Sequence, residues 1–156
     1  MRSRYIRQHC IEEGNKTEDH FKNVMEQKGY IVEKTTAYDD MQRHIDFYVN
    51  DQSVDVKGNR HLECIWLELK NVRGKNGWLN GSATYIVMDI KELGQFIFFL
   101  RQDLLDYCLK INETTYSKWD FNKIYTRYGR KDEIIKVRYD DIKNLQVGNI
   151  YYEVQH

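Results

Sequence analysis

Three charged residues share one face of a short alternating stretch: Asp46 in residues 43–49, then Asp55 and Lys57 in Val54-Asp55-Val56-Lys57. Ile45, Phe47 and Val49 point one way, while His44, Asp46 and Tyr48 point the other; Val54 and Val56 alternate with Asp55 and Lys57 in the same manner. Asn50-Asp51-Gln52-Ser53 is a turn signal, so the two runs read as a β-hairpin with one apolar and one polar face. With Asp51-Gln52 as the two-residue turn, Asn50 faces Ser53, Tyr48 faces Asp55 and Asp46 faces Lys57. Two carboxylates held close together repel unless a cation lies between them. Hard oxygen ligands select Mg²⁺ or Mn²⁺ over softer metals. A lysine beside them can polarise a phosphate oxygen or help activate a water, and a bound cation stabilises charge that develops in the transition state. The chemistry this pattern suits is metal-dependent cleavage of a phosphodiester. The competing reading is a solvated hairpin face with an ordinary cross-strand Asp–Lys pair.

The elements around the hairpin must position these groups. Residues 16–28 read as a helix, with Phe21, Val24 and Met25 at helical spacing, Thr17 placed to cap its start and Gly29 placed to end it. Glu18 on this helix is a third carboxylate within reach of the same cation; its plainer role is a favourable charge in a first helical turn. Residues 29–33 enter a first strand. Residues 63–72 alternate again, with Ile65, Leu67 and Leu69 on one face and Trp66, Glu68 and Lys70 on the other. Glu68-Leu69-Lys70 is therefore a second acid-x-lysine on the same polar parity, able to join Asp46 or to replace Asp55 and Lys57. A glycine-punctuated loop over residues 74–81 leads to strands at 84–90 and 96–100 and a helix at 101–111. A strand at 133–138 and a short helix at 139–145 follow, with residues 119–125 ambiguous. This order indicates an α/β or α+β domain built on one central mixed sheet.

A chain of 156 residues without proline, Gly/Ser linker or internal repeat reads as a single domain over residues 1–156. The formal net charge of zero argues against coating nucleic acid through bulk charge, but allows a local basic rim around an acidic metal site. Cys10, Cys64 and Cys108 are odd in number and widely spaced, which suits reduced thiols. No apolar leader opens the chain, and Phe96-Ile97-Phe98-Phe99-Leu100 is too short to span a bilayer, so a cytoplasmic protein without a membrane partner is expected.

Glu18 on the first helix, a strand entered by Gly29-Tyr30-Ile31-Val32, and Asp46 with Asp55-Val56-Lys57 on a hairpin resemble the PD-(D/E)XK nuclease superfamily, which includes type II restriction endonucleases and Holliday-junction resolvases. The resemblance covers about residues 14–90. It implies a restriction endonuclease-like core of helix–strand–strand–strand–helix–strand, with a central mixed sheet flanked by helices. It further implies that Asp46 and Asp55 hold Mg²⁺ or Mn²⁺ with the backbone carbonyl of Val56, that Lys57 orients the water or the scissile phosphate, and that Glu18 is an outer or second-metal ligand. His44-Ile45 stands where the motif's proline precedes Asp46. More loosely, Trp66-Leu67-Glu68-Leu69-Lys70-Asn71, Gly77-Trp78-Leu79-Asn80-Gly81 and Tyr125-Thr126-Arg127-Tyr128-Gly129-Arg130 look similar to small nuclease-like proteins of phages and mobile elements.

The expected activity is that of a Mg²⁺-dependent endonuclease acting on DNA, with a homodimer compatible with this reading. The alternative is a catalytically inactive protein of the same fold that binds nucleic acid or a partner protein; a structural or assembly protein is a remoter third. Lys75 and Trp78 on the glycine loop, and Arg127, Arg130 and Lys131 with interleaved tyrosines, are candidate nucleic-acid contacts. Packing of Trp78 over the sheet and a solvated charged turn at 127–133 compete with that assignment. His44, His61 and Cys64 make a poor soft-metal site, because their spacing lacks a second ligand pair.

Overall fold

The computed structural model describes residues 4–152. Helix α1 spans Arg4–Gln27, longer than its apolar spacing alone predicts, and Thr17 lies inside it rather than at its cap. Gly29, at φ 93°, closes it: Gly29 N–H donates to Glu26 O and Tyr30 N–H to Met25 O, the paired bonds of a Schellman end that a left-handed glycine permits. Strand β1 (Val32–Lys34) leads to a short helix α2 (Ala37–Arg43) that the hydrophobic pattern does not predict. Thr36 caps α2 by accepting from Asp39 N–H, and His44 ends it in the left-handed conformation.

The hairpin is β2 (Phe47–Val49) and β3 (Gln52–Arg60), paired Phe47↔Val54, Tyr48↔Ser53 and Val49↔Gln52. Its turn is Asn50-Asp51, not Asp51-Gln52. Both residues hold positive φ, at 45° and 70°, as the tight hairpin turn requires, and Asn and Asp tolerate that region best among residues with a side chain. The faces expected from alternation persist, but the partners slip: the register carries Asp46 towards Asp55, and Tyr48 away from it.

After β4 (Ile65–Lys70) come β5 (Tyr85–Ile90), β6 (Gln95–Leu100), α3 (Arg101–Leu109), β7 (Thr114–Thr115), β8 (Ile124–Tyr125), β9 (Glu133–Val137), α4 (Tyr139–Ile142) and β10 (Gln146–Tyr151). They form two sheets, one ordered β1-β2-β3-β5-β6-β10 and one ordered β4-β9-β8-β7. The fold is thus α/β with mixed sheets; in the first, β3 and β5 are parallel and their other neighbours antiparallel. Two expectations are corrected. There are two sheets rather than one. The crossover from β3 to β5 carries β4 and a 3-10 turn at Trp78–Asn80, where the resemblance implied a helix.

The first sheet is covered on both faces. Phe21, Val24 and Met25 of α1 pack on Phe47, Val49, Val54, Val56, Val87 and Phe96. Burial of Phe21, which is fully enclosed, stabilises by about 1.5–3 kcal/mol relative to exposure. The other face carries Ile86, Met88, Ile97 and Phe99 against Ile65, Leu67, Ile135 and Val137 of the second sheet and Leu104 and Cys108 of α3. Cys64 and Cys108 are free thiols, and the side chain of Cys10 lies outside the described residues. Among the described residues no helix is long and apolar enough to cross a membrane.

Candidate metal centre

Strand β3 continues past the end of β2, and the opening beside it is where the carboxylates gather. Asp46 stands just before β2 and is held at several points. Its N–H donates to Val54 O at 2.8 Å, and its Oδ2 accepts Val56 N–H at 2.7 Å. Its carbonyl accepts from the Thr35 N–H and hydroxyl. Alternation along β3 puts Asp55 and Lys57 on the same side. Lys57 Nζ lies 3.2 Å from Asp55 Oδ1, so its carboxylate partner is Asp55 on its own strand rather than Asp46 across the hairpin.

Glu18 arrives from α1 because the helix passes unusually close to β3. A Cβ added at Gly58 would stand 2.4 Å from Thr17 Oγ1, so only glycine lets Thr17, and with it Glu18, come this near to Lys57-Gly58. Helix α2 brings Asp40, which the sequence reading did not include. The available signal was Thr36-x-x-Asp39, a helix-start pattern just before it. One carboxylate oxygen each of Glu18, Asp40 and Asp46 lie within 4.8 Å of one another, the one such group of three His, Cys, Asp or Glu side chains among the described residues. Glu18, Asp40, His44, Asp46, Asp55 and Lys57 all line one cavity of about 290 Å³.

The electrostatics of this cavity suit a cation. Burial, then repulsion by Asp46, pushes Glu18 up to about 8. Burial and a shared hydrogen bond with Asp46 push Asp40 up to about 6. Asp46 is raised by burial and by the charge of Asp55. Asp55, 2% exposed, is raised by burial although Lys57 opposes the shift. Its Oδ2 is buried with no hydrogen-bond donor in reach. A buried acceptor without a donor is costly, and a divalent cation among these oxygens would satisfy it. The set is all oxygen, which fits Mg²⁺ or Mn²⁺ and disfavours soft metals. Lys34 of β1 adds a second positive group that draws the Glu18 and Asp40 values down.

The remaining sequence candidates lie elsewhere. Glu68 and Lys70 belong to β4 in the second sheet, so they are not on the strand beside Asp55; Lys70 pairs with Glu133 at 3.6 Å. Glu68 acts on the half-buried Arg60, which also feels Asp55, and so borders the site through that arginine. The Val56 N–H serves Asp46, and Val56 lines the cavity. Trp78 is buried at 6% exposure among core residues, with Lys57 Nζ 5.1 Å from its ring centre; it seats the lysine rather than reaching for a base. Arg127 is tied to the fully buried Asp132 at 2.6 Å and organises its own turn. Lys75, Arg130 and Lys131 are exposed, away from the cavity lining. His44 lines the acidic cavity, whereas His61 pairs with Glu92, so the two do not share a metal site with Cys64. Comparison of the chain with protein-family models, with curated proteins and with solved structures returned no match.

Proposed function

We propose that the chain is a divalent-cation-dependent nuclease that hydrolyses phosphodiester bonds in DNA. One observation carries this reading. Carboxylates from α1, α2 and the hairpin converge on a single cavity in which the buried Asp55 Oδ2 has no donor and Lys57 stands beside it. Glu18, Asp40, Asp46 and Asp55 are the residues that would hold the cation. When bound, Mg²⁺ or Mn²⁺ supplies charge that polarises a phosphate oxygen and lowers the pKa of a water. Lys57 is fixed between Asp55 and the Trp78 ring, so its ammonium is aimed without a large loss of side-chain entropy at the moment of binding. It neutralises a phosphate oxygen or holds the attacking water. Strand β3 and its neighbours keep the carboxylates in place, which is the pre-organisation that makes such electrostatic help effective.

The test is a cleavage panel of linear duplex, single strand, flap and four-way junction with Mg²⁺ or Mn²⁺. Asp55→Ala and Lys57→Ala are each expected to lower cleavage by at least about a hundredfold. Cleavage that survives both substitutions unchanged places the chemistry elsewhere.

A further inference from the structure

We infer that the outward face of the second sheet, with the segment folded over its edge, is a binding platform for single-stranded nucleic acid. The chain is neutral in total, yet residues 110–138 carry eight Lys or Arg against four Asp or Glu, with five aromatic residues among them. All four acids are already engaged: Asp132 is fully buried against Arg127, Asp120 accepts the Thr115 hydroxyl at 2.5 Å, Glu113 pairs with Lys123 and Glu133 with Lys70. What this segment presents outward is therefore basic and aromatic.

The rings are set by cations. Trp66 on β4 stands cross-strand from Lys136 on β9, and Tyr125 on β8 packs beside Trp66 with ring centres 5.9 Å apart. The nearly buried Lys136 Nζ lies 5.7 Å from the centres of both Trp66 and Trp119 and 4.4 Å from that of Phe121, while the Arg138 guanidinium lies 3.6 Å over Phe121. These contacts hold the segment on the sheet but do not bury it. Trp119 remains 74% exposed, Tyr116 95%, and Tyr128 wholly exposed.

The exposed rings of Trp119, Tyr116 and Tyr128, with the Lys118 and Lys136 ammonium groups 4.9 and 5.7 Å from the Trp119 centre, suit a strand that offers both base faces and phosphates. A duplex keeps its base faces inside and gains less from such rings. An apolar protein partner would leave the surrounding cations unanswered. One chain segment joins the platform's strand to the carboxylate cavity. Trp66 and Glu68 share the outward face of β4, Glu68 abuts Gly77, and the next residue, Trp78, lies beneath Lys57. The inference rests on the nuclease reading only in equating the bound strand with the strand that is cut.

The experiment is fluorescence anisotropy of labelled oligo(dT) and of a duplex with the full chain in EDTA. Oligo(dT) is expected to bind roughly tenfold or more tighter than duplex, and Trp119→Ala and Tyr116→Ala are each expected to weaken it roughly tenfold. Both side chains are exposed, so circular dichroism should match the parent protein. Equal affinity for duplex, equal affinity for heparin, or unchanged affinity in both variants overturns the platform. Oligo(dT) binding in EDTA without any Mn²⁺-dependent cleavage keeps the platform and removes the nuclease. Cleavage of DNA with oligo(dT) binding absent, or insensitive to both substitutions, does the reverse.

Discussion

Asp46 is the residue on which the carboxylate cluster turns, because Glu18, Asp40 and Asp55 each feel its charge or share its hydrogen bonds. The pH dependence of stability follows. A carboxyl whose folded pKa is raised binds its proton more tightly in the folded chain. Its contribution is fully present below the unfolded value and is lost as pH rises through the folded one. For Glu18 that window runs from 4.5 to about 8, and for Asp40 from 3.8 to about 6. Protein in EDTA should therefore lose thermal stability between pH 5 and pH 8. Asp46→Asn removes the shared repulsion yet keeps an oxygen for the Val56 N–H. It should stabilise the protein at neutral pH by on the order of 1 kcal/mol, read as a higher melting temperature, and flatten the slope. Melting curves of both proteins across this range check it; an equal or steeper slope in the variant speaks against mutual repulsion. At this scale much was legible in the sequence. Alternation alone put Asp46, Asp55 and Lys57 on one side. Their pairing was not legible, because it depends on which two residues take positive φ, and Asn50-Asp51 does so one step earlier than Asp51-Gln52.

At the scale of elements, the site depends on how closely α1 and β3 approach. Gly58→Ala would drive a methyl into Thr17, whose β-branched side chain is short and anchored to the helix. The expected cost is about 1–3 kcal/mol of stability, with weaker Mn²⁺ binding because Glu18 moves with the helix. Thr17→Ala in the same chain should restore part of both losses, measured by chemical denaturation and by calorimetry. If the two substitutions simply add, the steric account of this crossing is wrong. The glycine's role was invisible in sequence, since it arises from a contact between residues 41 positions apart rather than from a turn. Helix α2 was also missed, because Ala37–Arg43 is short, polar and without a buried residue. Parity showed that Glu68 and Lys70 alternate like Asp55 and Lys57. Which sheet β4 would join is set by its pairing with β9, far along the chain.

For the whole molecule, charge is segregated although the total is zero. Four carboxylates gather in the cavity beside β3, and residues 110–138 carry an excess of cations around the second sheet. The expectation of a mixed sheet in an α/β fold agrees with the structure in outline. The layer opposite α1 was out of reach of local pattern, because β8, β9 and β4 come together over long separations. The claim that unites these scales is that Glu18, Asp40, Asp46 and Asp55 form one divalent-cation site. Calorimetric titration of the full chain with Mn²⁺, beside Asp46→Asn at the same pH, tests it most directly. The account predicts saturable binding to the parent protein that falls at least about tenfold in the variant. Absence of binding, or equal binding by both proteins, would contradict it.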